Sequence, residues 1–354
     1  MNTDSKFRIL ALDGGGIRGI ITIGLLKRLE AESGVDLIKN VDLIAGTSTG
    51  GLIALGLAAG LPLTDIEKLY RERGEAIFSS MWPRYLRYVK NLFTARYDNR
   101  VLAQAIADQL GQKTTLGDLH HKVLICAFDL KGSKEVPHWK AKFFHNLEGN
   151  DNGPTVQDSD WNQLARNVAL FTASAPVYFP SVQGFVDGGV VASNPSMAAL
   201  AQTQDARYFD TSSRGSLHPT YKDSHPGSHS QKRHAPRIPD DIVLLSLGTG
   251  ENQHRISKAQ KLKWGYLSWI WPLGKQGAPL LSLMLDGDAK VASYQCEQLL
   301  GKNFCRLQVI FGDRDIIDMD QADKDNIQKM DGYVQECTGK LEFKKAVDWI
   351  CANW

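Results

Sequence analysis

Apolar and polar residues alternate in blocks along the first 130 residues, and the blocks predict strands and helices in turn. Short apolar runs at residues 7–12, 41–45 and 123–130 predict three buried strands. The longer stretches between them predict helices, the first of which we expect to end at Gly34. Thr64 and Glu67 have capping-box spacing and predict the start of another helix. This order of elements is typical of a parallel sheet with crossover helices.

The second half of the chain continues the pattern at wider spacing. Helices are predicted over residues 161–173, from Asn194 and Pro195 onward, over 279–300 and from 321 to the C-terminus, and strands at 184–186, 242–247 and near 304–311. We therefore expect residues 1–354 to form a single α/β domain, with a central, mostly parallel sheet sandwiched by helices.

Residues 210–240 break this pattern, because they are rich in Ser, Pro, Gly and His and have almost no apolar periodicity. Such a segment buries too little surface to offset its ordering entropy, so we expect a disordered surface insertion. Its histidines are His218, His225, His229 and His234. Their spacings match no zinc pattern, and we expect no metal site.

The composition limits the class of protein. The chain has 41 basic and 39 acidic residues, which argues against a partner that is a nucleic-acid polymer. Its five cysteines lie outside any C-x-x-C pair and favour a reducing cytoplasm. The N-terminus lacks a signal-peptide layout, and no run reaches the roughly 18 apolar residues of a membrane span. We expect a cytoplasmic protein.

The residues from Gly46 to Gly50 have the form G-x-S-x-G and stand between a predicted strand and a predicted helix. A nucleophile elbow needs this setting, because the tight turn lifts the serine hydroxyl out of the sheet edge. Small residues on both sides permit the turn, and the positive end of the helix favours developing negative charge. Ser48 is therefore the candidate nucleophile.

A glycine-rich loop, residues 13–19, follows the first strand and formally matches the G-x-G-x-x-G dinucleotide fingerprint. That fingerprint requires an acidic residue at the end of the second strand, where this chain has the elbow instead, so we reject the nucleotide site. The consecutive amides of Gly14, Gly15 and Gly16 are better suited to hold an oxyanion. Because the first two strands are expected to be neighbours, the loop and Ser48 should emerge side by side.

A third motif places Asp187 on the turn formed by Gly188 and Gly189, after a short apolar run. On this fragment alone, a catalytic carboxylate and a turn aspartate that caps its own backbone are equally good interpretations.

Taken together and in this order, the three motifs resemble the patatin-like phospholipases, which carry a D-G-G-G-x-R-G loop, a G-x-S-x-G elbow and a D-G-G or D-G-A aspartate. Further likeness lies at residues 115–119, 173–179 and 246–250, so the resemblance runs from about residue 7 to residue 250. Thr47, Thr49 and the long insertion are departures within the family's variation. The resemblance implies a three-layer α/β/α fold.

The resemblance also implies a reaction and its residues. Asp187 would accept the proton of Ser48 in a Ser–Asp dyad, and the three loop amides would hold the oxyanion. The supporting positions would be Arg18, which braces the loop unless it is a plain surface arginine, together with Gly46, Gly50 and Gly188. The substrate would be an acyl ester of a membrane phospholipid, and no cofactor or metal is implied.

Two alternatives remain open. His254 follows a late strand and has the placement of the histidine in a Ser–His–Asp esterase or acyltransferase. A lipid-binding module without catalysis is the other, although three intact motifs argue against it.

Two segments combine aromatic and basic residues, at 81–93 and 261–273. They suit peripheral contact with the inner face of an anionic membrane, and would equally suit a core-facing cover of the active site. The extra segments at 81–97 and 253–287 resemble bacterial patatin-like effectors of anti-phage systems that cyclic nucleotides activate. This implies a cyclic di- or trinucleotide activator, and the oligomeric state stays open. The candidate phosphate contacts are Arg84, Arg87, Lys90, Arg96 and Arg100.

Overall fold

The computed structural model describes residues 6–79, 94–132, 137–147, 160–205, 242–253, 279–312, 315 and 317–354. The predicted insertion at 210–240, the aromatic segments at 81–93 and 261–273, and His254 lie outside the described residues.

The described residues form one seven-stranded sheet. Its strands are β1 (Phe7–Leu12), β2 (Leu43–Thr47), β3 (Lys122–Asp129), β4 (Lys140–His145), β5 (Phe185–Asp187), β6 (Ile242–Leu247) and β7 (Phe304–Leu307). The order is β4-β3-β2-β1-β6-β7, and β5 also pairs with β3. All pairs are parallel except those of β4 and β5 with β3. The expected mostly parallel sheet, with β1 beside β2, is confirmed.

Helices cover both faces of the sheet. They are α1 (Gly19–Ser33), α2 (Thr49–Ala58), α3 (Leu63–Ile77), α4 (Arg100–Leu110), α5 (Ala165–Ala173), α6 (Gly189–Ala192), α7 (Ser196–Gln202), α8 (Pro279–Leu300), α9 (Lys324–Thr338) and α10 (Leu341–Asn353). Alternate strand residues enter two apolar clusters: Leu10 packs with α1, α2 and α9, whereas Ile9 packs with α7 and α8. The structure thus has the expected three α/β/α layers.

Several predicted boundaries differ from the structure. The capping box at Thr64 is wrong, because α3 begins at Leu63 with Pro62 as its N-cap. At α7 the side chain of Asn194 does accept the Ser196 N–H at 2.9 Å, but the helix starts one residue later than predicted. Gly34 ends α1 as expected, with a left-handed φ of 69°.

Two other elements matter more for the site. Strand β2 continues to Thr47, so the first two residues of the G-x-S-x-G motif belong to the sheet. Strand β4 was not predicted, and it pairs with one edge of β3. The single helix expected from residue 321 onward is two helices, α9 and α10, which are separated at Gly339.

Candidate active site

The strand register brings Ser48 and Asp187 together. Thr47, the last residue of β2, lies opposite Cys126, and the next residue of β3, Ala127, lies opposite Asp187 of β5. Ala127 is also paired with β4, which occupies the other edge of β3. Strand β5 therefore lies along the same edge as β2, just beyond its end, and the residue that follows Thr47 meets Asp187.

Ser48 has the backbone conformation of a nucleophile elbow. Its φ of 53° and ψ of −123° are unusual for a residue with a side chain, and such strain is common at functional sites. The Ser48 N–H donates to Oγ1 of Thr172 at 2.8 Å, and that hydroxyl donates to the carbonyl of Cys126 at 2.6 Å. Helix α5, which carries Thr172, thus helps to hold the strained turn.

The two glycines of the elbow are required by close backbone contacts. A Cβ on Gly50 would lie 2.1 Å from the carbonyl oxygen of Leu12, and one on Gly46 would lie 2.4 Å from the carbonyl oxygen of Gly50. Because both obstacles are backbone atoms, no side-chain rotation would relieve them. The turn between β2 and α2 packs directly against the end of β1 for this reason.

Asp187 is buried, and its Oδ1 accepts the Gly189 N–H at 2.7 Å. Burial raises the pKa of Asp187 to about 7, although the nearby Ser48 hydroxyl and the Gly189 N–H both favour the charged form. A carboxyl group with this pKa is a stronger proton acceptor than an ordinary aspartate, and it is ionised in part at neutral pH.

The glycine loop lies against the nucleophile, since a Cβ on Gly14 would be 3.3 Å from the Ser48 Cβ. However, the Gly14 N–H donates to the carbonyl of Ser193 at 2.9 Å, so the expectation that it is a free oxyanion donor needs correction. Within the described part of the chain, the amides of Gly15 and Gly16 have no backbone partner. Two of the three expected donors therefore remain available in this conformation.

A buried ion pair fixes the start of the loop. Arg306 of β7 donates to both carboxylate oxygens of Asp13, at 3.0 and 2.6 Å, and to the Ser246 hydroxyl at 2.7 Å. Burial raises the pKa of Asp13, while the adjacent Arg306 guanidinium opposes that shift. Sequence reasoning missed Arg306, and no local motif around it indicates the role.

Arg18 is buried, so it is not the surface arginine that the sequence left open. Its Nε lies 3.5 Å from the carbonyl oxygen of Gly15, at the outer limit of a hydrogen bond. Burial lowers the pKa of Arg18, and the charges of Asp286 and Asp318 oppose this effect. The side chain thus lies where it can brace the glycine loop.

The turn after α6 links these parts to α8. The Asp288 carboxylate of α8 accepts the Ser193 N–H at 2.6 Å, and the Ser193 carbonyl in turn accepts the Gly14 N–H. The Thr47 hydroxyl donates to the carbonyl of Ala192 at 2.6 Å. One short segment therefore connects the nucleophile's strand, the glycine loop and α8. The sequence did not predict this connection either.

Ser48 and Asp187 open into a cavity of about 460 Å³, whose other walls include apolar residues of α2, α3 and α8. This volume suits part of a lipid acyl chain. Among the described residues that line the cavity there is no histidine. In the same described ranges, no cluster of three or more His, Cys, Asp or Glu is arranged for a metal ion. No helix in the part of the chain that the structure describes could cross a membrane.

Comparison with known proteins gives a consistent result. Residues 10–200 match the family model of the patatin-like phospholipases. A cGAMP-activated phospholipase of Pseudomonas aeruginosa (strain BWHPSA011) is 36% identical over 56% of this chain and 57% of its own length. One from Vibrio cholerae is 31% identical, over 77% and 72%. Patatin-like protein 4 of Arabidopsis thaliana is 26% identical, over 91% and 80%. The match thus spans little more than half of the Pseudomonas protein.

Proposed function

We propose a phospholipase A-type activity from one premise: this chain belongs to the patatin-like phospholipase family. Family membership places it among the lipid ester hydrolases. The proposed reaction is the hydrolysis of acyl esters of membrane phospholipids by a dyad of Ser48 and Asp187. The observation that carries the proposal is the strand register, which places Ser48 beside the buried carboxyl group of Asp187 at the wall of a largely apolar cavity.

The proposed cycle has two half-reactions. Ser48 Oγ attacks the ester carbonyl as its proton passes to Asp187, and the amides of Gly15 and Gly16 hold the resulting oxyanion. Collapse of this intermediate expels the lysolipid alkoxide, which takes the proton from Asp187. Water then attacks the acyl-enzyme as Asp187 accepts a proton from it, and collapse of the second tetrahedral intermediate releases the fatty acid while Asp187 returns the proton to Ser48 Oγ. Each oxyanion donor typically lowers the barrier by about 3–4 kcal/mol.

The geometry supports a dyad over a triad. The Ser48 hydroxyl lies close enough to Asp187 to favour its charged form, whereas in a triad a histidine stands between the two side chains. Asp187 also gains basicity through its burial, which a dyad requires because a carboxylate is otherwise a weak base for a hydroxyl.

The test compares three variants with the wild type on phospholipid vesicles and on a soluble short-chain ester. Ser48→Ala and Asp187→Asn should each lose about three orders of magnitude or more in kcat. His254→Ala, the matched control, should keep most of the activity. The opposite ranking of Asp187→Asn and His254→Ala would assign a triad instead.

We further propose that a cyclic di- or trinucleotide activates the enzyme. The support for this proposal is that the Pseudomonas and Vibrio relatives are both named cGAMP-activated phospholipases. Two candidate phosphate contacts have other partners. Arg96 forms an ion pair with Asp320 and stacks on Tyr178, and Arg100 pairs with Asp98. The candidates Arg84, Arg87 and Lys90 lie outside the described residues.

This activation is tested with a panel of such nucleotides, by phospholipid hydrolysis and melting temperature. One of them should raise hydrolysis at least about tenfold and raise the melting temperature, because a ligand that favours the folded, active state stabilises it. Full hydrolysis without any nucleotide, and no thermal shift from any, would indicate a constitutive lipase. In either case we propose peripheral action at the inner face of the membrane.

A further inference from the structure

Helix α8 combines a wall of the cavity with an exposed apolar surface. Leu285 lines the cavity, and a Cβ on Gly189 would lie 3.0 Å from its Cδ2, which places this wall two residues from Asp187. Away from Leu285, the same helix exposes Leu280, Leu283, Met284, Val291 and Tyr294, of which Tyr294 also borders the cavity. We call these five residues the α8 outer face.

The α8 outer face is continuous. Residues 280, 284, 287, 291 and 294 are separated by four, three, four and three positions, the spacing of one side of a helix. Leu283 and Met284 are 55% and 51% exposed, and Tyr294 is 64% exposed. A helix that faces water normally has a polar outer side, so this arrangement indicates an interaction surface.

The charges of α8 lie away from this face or beside it. Asp288 is directed to the Ser193 N–H, and Asp286 lines the cavity. Between Leu280 and Tyr294 the exposed charge is Lys290, which pairs with Glu251. A cation beside a tyrosine is a combination found at the boundary between lipid and water.

We infer that the α8 outer face docks on the surface of a phospholipid bilayer. The inference rests on the proposed function, because a phospholipase must take its substrate from a bilayer. A helix is about 10–12 Å across, so only this thickness separates the outer face from the cavity wall beside Asp187. Amphipathic helices sink about 5–10 Å into the lipid interface. Docking on α8 would therefore bring the mouth of the cavity to the depth of the ester groups.

A second copy of the chain is the competing occupant, since a spacing of four and three also suits helix pairing. The bilayer fits better for two reasons. Gly287 lies in the middle of the α8 outer face and offers no side chain to pack into a partner helix. The same helix forms a wall of the cavity. A lipid surface at this position would supply substrate to the cavity, whereas a partner helix would obstruct the entry of substrate.

The test uses Leu283→Ser/Met284→Ser, because neither side chain lines the cavity. The matched control is Leu341→Ser, whose leucine is 60% exposed at the start of α10 and away from the cavity wall. Binding is measured by sedimentation with vesicles of phosphatidylglycerol and phosphatidylethanolamine, in a Ser48→Ala background so that lipid is not consumed. The double variant should bind at least about tenfold more weakly, and the control should bind as the parent does.

A second variant, which should bind vesicles more strongly, distinguishes a loss of membrane docking from simple misfolding. Met284→Trp should strengthen vesicle binding, because tryptophan favours the lipid interface and an unfolded variant would not show this gain selectively. Unchanged binding of both α8 variants would overturn the inference. A lipid-free dimer that the double serine variant dissociates would also overturn it and assign the face to a second copy. Failure of the proposed function is distinct, since the wild type would then bind vesicles without hydrolysing any ester.

Discussion

The buried carboxyl group of Asp187 should make the protein less stable as the pH rises, and Asp187→Asn should remove this effect. The folded state holds the pKa of Asp187 at about 7, against 3.8 in an unfolded chain. A raised pKa means that the folded state favours the protonated form. Its contribution to stability is full below pH 3.8 and is lost as the pH rises towards 7. The complete loss is on the order of 4 kcal/mol.

The size of the effect depends on the pH interval. Relative to its value at low pH, the free energy of unfolding should be lowered through Asp187 by about 1.5 kcal/mol at pH 5 and by about 4 kcal/mol at pH 8. Asparagine stays neutral and keeps an oxygen for the Gly189 N–H, which Asp187 accepts at 2.7 Å. The stability of Asp187→Asn relative to the wild type should therefore increase by roughly 2.5 kcal/mol between these two pH values.

Urea unfolding at pH 5 and pH 8 measures this difference directly. Ser48→Ala is the control, because it retains the carboxyl group and should still lose stability as the pH rises, with a midpoint at or above that of the wild type since the Ser48 hydroxyl lowers the pKa of Asp187. The same pKa should appear in the kinetics, as an ascending limb of kcat/KM with a midpoint near pH 7. A stability difference that does not change with pH would refute the reasoning, since Asp187 would then ionise like an exposed aspartate.

Three further substitutions test the supports of the site. Arg306→Met should destabilise the protein by about 3–5 kcal/mol in urea unfolding, because it leaves the Asp13 carboxylate buried and unpaired. Adding Asp13→Asn to this variant should restore part of the lost stability, because the buried charge is then removed. Gly50→Ala should abolish ester hydrolysis and lower the melting temperature, whereas Gly332→Ala, where a Cβ meets no atom within 4 Å, should be neutral or stabilising by up to about 1 kcal/mol. Thr172→Val should lower the free energy of unfolding by about 1–3 kcal/mol and reduce kcat, because the Ser48 N–H loses its acceptor. Thr338→Val, at an exposed hydroxyl, should change neither the stability nor kcat.

The sequence predicted correctly those elements whose structure depends on the pattern of residues within the element itself. Strands β1 and β6 have the predicted bounds, because nearly every residue of each is buried and each strand has a single polar residue among apolar ones. Ser48 and Asp187 were identified for a similar reason, since each lies in a short motif at the end of a strand. Their proximity then follows from the register of β2 and β5 on β3.

Long-range contacts decided the features that sequence reasoning missed. Arg306 lies 293 residues from Asp13, and only the order of β1, β6 and β7 brings them together. The Gly14 N–H is taken by Ser193, a contact that no property of three consecutive glycines reveals. Strand β4 escaped prediction because Lys140 and Lys142 alternate with more apolar residues over only six positions at the edge of the sheet.

Labelling with a fluorophosphonate probe tests the central claim, that Ser48 is the nucleophile, most directly. Intact-mass measurement should show one adduct per chain, and peptide mapping should place it on Ser48. Ser48→Ala should remain unlabelled, and Asp187→Asn should be labelled far more slowly, because the carboxylate that accepts the Ser48 proton is absent. An adduct on another serine, such as the nearby Ser174, together with unchanged labelling of Ser48→Ala, would contradict the account.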